Sequence, residues 1–293
     1  MLAETRRIAS PGMSGARSAG CAVLVLMVLV LAGCGGGEPP APDYERITSP
    51  SGTEWALQWH DEFEGAGLPD STKWGYEHGF IRNEEKQFYT RRRTENARRE
   101  NGHLVITARK ESYRDTAEYT SASLVTKEKA QWTYGRIEVR AKLPTGRGMW
   151  PAIWMLGSDI DEVGWPECGE IDIMEYVGFE PNTIHGTVHT DSFNHVEGTS
   201  RGGDIHVDAP YESFHVYAIE WTPEKIDFFV DGEHYFTFEN IGGGTAEWPF
   251  DEPHYLILNA AIGGSWGGQK GIDDSIFPQE YRIDYVRVYE RAE

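Results

Sequence analysis

The chain has 293 residues, a formal net charge of −20 at pH 7 and a hydrophobic content of 39%. A field this negative repels phosphate and sulfate groups, which argues against nucleic acids and polyanionic substrates as partners. The 10 tryptophans, 14 tyrosines and 12 phenylalanines are enough for a large core and leave aromatic rings for a ligand surface. We expect one folded domain that is a monomer.

The N-terminus is predicted to be an export signal. Residues 21–32 are all apolar, follow several arginines and form a segment too short to cross a bilayer comfortably. The segment Leu31-Ala32-Gly33-Cys34 resembles the lipobox of bacterial lipoproteins, in which the cysteine carries lipid and becomes the first mature residue. The sequence therefore predicts a signal peptide over residues 1–33, starting at Met1 or Met13, and a lipid anchor on Cys34. A transmembrane anchor is the alternative.

The next segment is rich in glycine, proline and serine and has little apolar periodicity. Such a composition is typical of a flexible spacer. We predict a linker over residues 34–52 that holds a folded domain, residues 53–293, away from the membrane. Because Gly35 and not aspartate follows the lipidated cysteine, we expect sorting to the outer membrane, with either the periplasmic or the surface face open.

Short segments in which apolar and polar residues alternate recur beyond the linker. This period of two is typical of β-strands with one buried face. Strands are predicted over residues 103–110, 135–143, 151–156, 169–177, 185–190, 214–222, 255–261 and 281–290. Within residues 226–238, Asp231-Gly232 favours the type I′ turn of a hairpin. The pattern predicts an all-β fold, a β-jelly-roll sandwich of two antiparallel sheets with a concave substrate groove.

Three carboxylates crowd into one predicted strand, in the run Glu170-Ile171-Asp172-Ile173-Met174-Glu175. Side chains alternate along a strand, so Glu170 and Asp172 share one face and Glu175 points to the other. One extra residue, Ile173 or Met174, would form a β-bulge and return Glu175 to the face of Glu170. We therefore predict a bulge here, with all three acids lining one cleft.

Paired glutamates on one face suit the hydrolysis of glycosides. Four strand steps of roughly 3.3 Å place the two Cα atoms about 13 Å apart, and side chains that lean inward close most of this distance. The carboxyl groups then approach the separation of roughly 5 to 5.5 Å found in retaining enzymes. Asp172 would hold Glu170 through a shared proton, and the crowded negative charge would raise the pKa of Glu175 and keep it protonated as a proton donor.

Two other interpretations of the acidic run are an exposed strand face and a site for a hard cation such as Ca²⁺. The flanks favour a catalytic cleft, because Ile171, Ile173 and Met174 indicate a packed layer and three tryptophans precede the run closely. A nucleophilic thiol at Cys168 would need a pairing histidine, and none lies nearby in the sequence. We interpret Cys168 as a packing residue.

The segment from Trp165 to Gly178 resembles the signature of glycoside hydrolase family 16 in its bulged Glu-x-Asp-x-x-Glu form, and most resembles bacterial laminarinases. Further similarity lies in residues 83–90, 148–157, 185–190 and 259–266. The resemblance implies a β-jelly roll and endo-acting hydrolysis with retention, with Glu170 as the nucleophile, Asp172 as its supporting acid and Glu175 as the acid/base. The implied substrate is β-1,3-glucan (laminarin), followed by mixed-linkage glucan and then agar-type galactan.

The resemblance also suggests residues that bind the polysaccharide. Trp150 and Trp154 are expected near the cleaved sugar, where an aromatic face can stack on a pyranose ring, although core packing is the alternative for each. Asn83, His189 and Trp266 are further groove candidates. His185 and His189 lie four residues apart on one strand face and could bind a metal; without a clear third ligand, we assign His189 a hydrogen-bonding role in the cleft.

No cofactor is expected for catalysis. Many members of the family carry a structural calcium away from the cleft, and by position the resemblance suggests Glu62, Gly102 and Asp284 for it. The alternative from a different class is a non-catalytic β-glucan-binding or sensing lipoprotein, because jelly rolls also bind polysaccharide without cutting it.

Overall fold

The computed structural model describes residues 44–293, which form two packed β-sheets. The predicted signal peptide, Cys34 and most of the predicted linker lie outside the described residues. The strands are β1 (Arg46–Thr48), β2 (Glu54–Asp61), β3 (Gly75–Tyr76), β4 (Gln87–Tyr89), β5 (Ala97–Glu100), β6 (His103–Tyr113), β7 (Ala117–Ser121), β8 (Ser123–Val125), β9 (Gly135–Lys142), β10 (Met149–Gly157), β11 (Glu170–Glu175), β12 (Thr183–His189), β13 (Arg201–His206), β14 (His215–Trp221), β15 (Lys225–Val230), β16 (Glu233–Glu239), β17 (His254–Ile262) and β18 (Gln279–Arg291). The helices are short: α1 (Ile160–Val163) and a 3₁₀ turn (Asp274–Ile276).

The two sheets differ in size and role. The seven-stranded sheet, in the order β13-β12-β11-β10-β17-β8-β3, is called the cleft sheet below because it carries the predicted catalytic strand. The eleven-stranded sheet, called the outer sheet, follows the order β16-β15-β14-β9-β18-β6-β7-β4, with β1, β2 and β5 attached beside this path. Neighbouring strands are antiparallel apart from β4 and β7, which run parallel. The predicted all-β jelly roll is confirmed.

Each strand predicted from alternation is present, and so is the predicted hairpin. Asp231 and Gly232 join β15 to β16 with φ angles of 49° and 83°, as a type I′ turn requires. The structure departs from the prediction at the N-terminal side, because β1 lies inside the range 34–52 that was predicted as linker and pairs with β2. The folded part of the chain therefore begins before residue 53.

The core lies between the sheets. Ile137 and Val139 of the outer sheet and Ile153 and Met155 of the cleft sheet are completely buried in it. Strand β10 is buried along its whole length, because its second face also carries apolar side chains. These belong to two smaller clusters on the cleft side of the sheet. The apolar run of β10 thus both closes the core and forms the floor of a cleft.

No helix of the described residues is long and apolar enough to cross a membrane.

A buried ion triad joins β9 to β14 in the outer sheet. The guanidinium of Arg136 donates to Glu138 at 2.6 Å and to Glu220 at 2.8 Å, and the Arg136 side chain is only 4% exposed. Two carboxylates therefore share one cation in a site that water hardly reaches. Such a site is costly when one partner is lost, because the remaining charges have no counter-ion.

Arg136→Met is therefore expected to lower the free energy of unfolding by about 3 to 5 kcal/mol, measured by urea denaturation of the purified protein. Arg91→Met is the matched control, since Arg91 is exposed on the surface. A variant in which Arg136, Glu138 and Glu220 are all replaced by methionine should recover most of the loss. A cost of less than about 1 kcal/mol for Arg136→Met would show that the triad contributes little.

Candidate active site

Strand β11 slips in register between Asp172 and Glu175. Across to β12, Asp172 pairs with Thr187 and Glu175 pairs with His185, so two residues of β11 face a single residue of β12. The pairing of β11 with β10 shows the same slip. The β-bulge predicted from the parity of the acids is therefore present.

The two residues of the bulge both point into the core. Ile173 and Met174 are 1% and 0% exposed and belong to the main core cluster. The single residue opposite them on β12 is Gly186, and a Cβ atom there would lie 2.3 Å from the Tyr235 hydroxyl and 2.7 Å from the Phe228 ring. Apolar packing on one side and a glycine that permits close approach on the other hold the bulge in place.

All three acids line one cleft. It has a cavity volume of about 570 Å³ and lies over β10, β11 and β17. Of the predicted substrate-binding residues, Asn83, Trp150 and Trp154 line it, whereas His189 and Trp266 do not. Residues that the sequence analysis did not select also line it, among them Glu77, Arg82, Glu85, Trp165, His195, Tyr255 and Asn259.

An indole N–H holds each glutamate. Trp165 donates from Nε1 to Glu170 at 3.0 Å, and Trp150 donates from Nε1 to Glu175 at 2.9 Å. A hydrogen bond to a carboxylate stabilises its charged form and fixes its direction. The contact that the structure gives Trp150 is thus with the predicted acid/base itself.

Trp154 is fixed by a second set of contacts. Its Nε1 donates to Asn259 at 2.8 Å, and the Arg82 guanidinium lies 4.9 Å from its ring centroid. Asn259 donates to the Tyr89 hydroxyl at 2.9 Å, which in turn donates to Glu85 at 3.1 Å. This buried network joins the floor of the cleft to the loop that precedes β4.

His189 and Trp266 lie at the edges of the acid cluster. Nε2 of His189 is 3.4 Å from Oδ2 of Asp172 and 3.8 Å from Oε1 of Glu170. The ring of Trp266 packs edge-on against Trp150, with centroids 5.8 Å apart. His189 therefore contacts the predicted catalytic acids from the neighbouring strand β12, and Trp266 supports a cleft residue.

Burial raises the pKa of all three acids. It raises the pKa of Glu170 to about 8, with the charge of Asp172 as the next cause, and that of Glu175 to about 7, with the charge of Glu170 adding to it. The pKa of Asp172 lies well above its ordinary value for the same first reason, opposed by a hydrogen bond with Glu170. The sequence analysis predicted crowded negative charge as the cause of the raised pKa of Glu175. In the structure, burial is the larger cause and the neighbouring charge adds to it.

If the two glutamates had separate roles, the nucleophile Glu170 would need a lower pKa than the proton donor Glu175, because it must lose its proton first. The two pKa values have the opposite order. Glu170 and Asp172 lie close together, and the charges of the three acids raise one another's pKa, so their protons belong to the group as a whole. At neutral pH the group keeps at least one proton. Asp172 lies next to Glu170 and is therefore placed to share that proton.

Two of the three predicted calcium ligands, Asp284 and Glu62, have carboxylates that already contact arginines. Asp284 accepts a hydrogen bond from Arg140, and the carboxylate of Glu62 accepts two from Arg287, at 2.9 and 2.8 Å. Calcium at this place stays a prediction: the resemblance implies backbone oxygens near Glu62 and Gly102 and the carboxylate of Asp284, and that carboxylate would have to exchange Arg140 for the ion. No step below depends on calcium.

The chain matches known proteins over most of its length. The model of the glycosyl hydrolases family 16 matches residues 84–287. The chain is 55% identical over 250 residues to a β-glucanase of Rhodothermus marinus, covering 82% of this chain and 86% of that protein.

Two solved structures are similar in both sequence and fold. The laminarinase from Rhodothermus marinus has a TM-score of 0.79 and 54% identity, over 82% of this chain and 98% of that one. A mutant of SCLam, a non-specific endo-β-1,3(4)-glucanase, has a TM-score of 0.78 and 48% identity, over 81% of this chain and 95% of that one. The SCLam crystal presents 1,3-β-D-cellobiosyl-glucose at its active site. With its bulged acidic strand, its cleft and these matches, the chain belongs to glycoside hydrolase family 16.

Proposed function

We propose that this glycosidase is a retaining endo-β-1,3-glucanase that cuts laminarin-type glucan by double displacement. The observation that carries the proposal is the bulge in β11, which places Glu170, Asp172 and Glu175 on one wall of the cleft. The similarity to the β-glucanase and the laminarinase of Rhodothermus marinus supports the choice of substrate.

In the first step Glu175 donates its proton to the glycosidic oxygen while Glu170 attacks the anomeric carbon. The bond between that carbon and the leaving oxygen breaks, and an ester between the sugar and Glu170 forms. Glu175 is then a carboxylate, and the N–H of Trp150 stabilises the new charge.

In the second step Glu175 takes a proton from a water molecule, which attacks the same anomeric carbon and releases Glu170. Two inversions at one carbon retain the β configuration. Asp172 is held 3.4 Å from His189 and contacts Glu170, so it is placed to accept the shared proton whenever Glu170 must ionise. The same carboxyl thus prepares the nucleophile for each turnover.

Mixed-linkage β-1,3-1,4-glucan is the second candidate substrate. SCLam, at 48% identity, is a non-specific endo-β-1,3(4)-glucanase. Product analysis on laminarin, lichenan and agarose separates the candidates. Cleavage of laminarin with little action on agarose is expected, and comparable rates on laminarin and lichenan would extend the substrate range to mixed linkages. Binding of laminarin without new reducing ends would instead favour the non-catalytic glucan-binding alternative.

Replacing the two glutamates should affect different substrates. Glu175→Ala removes proton donation, so hydrolysis of laminarin is expected to fall by about 100- to 10,000-fold. An aryl laminaribioside with an acidic phenol needs no such proton, and the burst of phenol from its first step should survive in Glu175→Ala. Glu170→Ser should lose activity on both substrates, because no ester can form.

The matched control for this pair is Glu162→Ala, at an exposed glutamate of α1 outside the cleft lining. Release of reducing ends and of phenol by the purified full-length variants is the measurement. Near wild-type rates in Glu170→Ser on either substrate would contradict the assignment of the nucleophile.

The raised pKa values predict that the active-site acids make the fold less stable at high pH than at low pH. Glu170 and Glu175 keep their protons to a higher pH in the folded chain than in the unfolded one, with pKa values of about 8 and 7 against an ordinary 4.5. Their protonated forms therefore stabilise the fold fully below about pH 4.5, and this contribution is lost as the pH rises through 7 to 8. Glutamine cannot ionise, so the Glu175→Gln variant does not lose this stability as the pH rises.

Glu175→Gln is thus expected to be more stable than wild type by about 1 to 3 kcal/mol at pH 8 and to show no gain at pH 4. Thermal unfolding at the two pH values measures this, with Glu162→Gln as the exposed control. In wild type, kcat/KM should fall above about pH 7 as the acid loses its proton. A stability difference that is the same at both pH values would contradict the burial of an ionising group.

We further propose that a lipid on Cys34 holds the enzyme at the outer membrane. The supporting observation is the segment Leu31-Ala32-Gly33-Cys34 after the apolar run. Cys34→Ala should abolish labelling by radioactive palmitate and move the protein from the membrane fraction to the soluble fraction. Cys21→Ala is the matched control and should remain in the membrane fraction. Membrane retention of Cys34→Ala would instead support a transmembrane anchor.

A further inference from the structure

An imidazole nitrogen lies beside the carboxylates of the cleft. In the pairing of β11 with β12, Glu170 lies directly opposite His189, so their side chains share a face with Asp172. One ligand atom from each of the three residues lies within 4.8 Å of the others. Two carboxylate oxygens and one imidazole nitrogen therefore converge from two adjacent strands.

The spacing of these atoms suits a small divalent ion. Bonds of roughly 2.0 to 2.2 Å place neighbouring ligand atoms about 3.0 to 3.5 Å apart around a tetrahedral or octahedral metal. Nε2 of His189 is 3.4 Å from Asp172 and 3.8 Å from Glu170. The second separation must close by a few tenths of an ångström, and all three ligand atoms already lie within 4.8 Å of one another.

One of the two carboxylates also has an oxygen without a hydrogen-bond partner. Asp172 is 3% exposed, and its Oδ2, the atom that faces His189, has no hydrogen-bond partner. Among the described residues, no lysine or arginine nitrogen lies within 4.0 Å of the carboxylates of Glu170, Asp172 or Glu175. A buried anionic oxygen without a partner is costly, and a cation at this point removes that cost.

We propose that Glu170, Asp172 and His189 form a binding site for a divalent transition metal, with Zn²⁺ as the representative ion, and that the bound metal inhibits the enzyme. The imidazole nitrogen favours Zn²⁺ over Ca²⁺ and Mg²⁺, which prefer oxygen ligands. Glu170 and Asp172 line the cavity, so the remaining coordination positions face the solvent of the cleft.

The inhibition rests on the proposed function, because one of the metal ligands, Glu170, is the nucleophile of that function. A carboxylate oxygen bound to a metal cannot attack the anomeric carbon, and the ion occupies the space beside the nucleophile. The metal and the glucan therefore compete for one site. The hydrolytic cycle itself needs no metal at this position.

The structure does not support the histidine pair that the sequence suggested. His185 lies on the same strand as His189, but its Nε2 is 3.5 Å from Glu180 and its ring packs against Trp266 at 5.0 Å. The second and third ligands come from β11, not from β12. His185 is therefore a matched control for His189.

Titration calorimetry with ZnCl₂ on the chelator-treated full-length protein tests the site. One Zn²⁺ should bind to wild type and, with similar affinity, to Glu175→Ala, which keeps the three ligands and cannot hydrolyse laminarin. His189→Gln and Asp172→Asn should each weaken binding by at least about 10- to 100-fold, the loss expected even for an outer partner of a metal ligand. His185→Gln should bind Zn²⁺ like wild type.

Thermal unfolding of each variant confirms that it is folded. The absence of Zn²⁺ binding to wild type, or equal binding by folded His189→Gln and wild type, would overturn the site whether or not the chain hydrolyses laminarin. In a hydrolysis assay, Zn²⁺ should inhibit at the concentration at which it binds, less strongly with excess laminarin, and a chelator should restore the rate. Zn²⁺ that binds without slowing hydrolysis would overturn the inhibitory role.

Discussion

In β11 two consecutive side chains, Ile173 and Met174, point into the core, and the regular alternation of the strand is broken at that point. The chemistry of the cleft depends on this break. Without it, Glu175 would face the core while Glu170 and Asp172 faced the cleft. Buried apolar side chains on one side of the sheet thus determine the position of a carboxyl group on the other side. The geometry of the site therefore depends directly on the packing of the sandwich.

The cleft brings together three acids that contribute little to the stability of the fold. Asp172 is buried, Glu170 and Glu175 are half-buried, and among the described residues no lysine or arginine forms an ion pair with any of them. In the outer sheet, by contrast, Arg136 lies between two buried carboxylates and serves as a shared counter-ion for both. The contrast explains the raised pKa values in the cleft: a counter-ion there would stabilise the fold but would also prevent a glutamate from holding a proton for the leaving group.

The fold and the convergence of the three acids could be predicted because their signals are local. Alternation within β9 or β18 is visible in one segment, and the parity of Glu170 and Glu175 requires a bulge before any pairing is known. Residues such as Arg82 and Glu85 reach the cleft only because the loop before β4 folds over β17, and the short strand β3 forms through a partner, β8, that is distant in the sequence. Asp284 pairs with Arg140 from a neighbouring strand, a contact that the positions of these residues in the sequence do not reveal.

Direct identification of the nucleophile tests the central claim, that the bulge places Glu170 to attack the sugar while Glu175 serves as the acid. A 2-deoxy-2-fluoro laminaribioside with a good leaving group forms an ester that hydrolyses slowly, so it marks the attacking residue. Peptide mapping by mass spectrometry after this treatment should locate one covalent label on Glu170. A label on Asp172 or Glu175, or an active enzyme that takes up no label, would contradict the account.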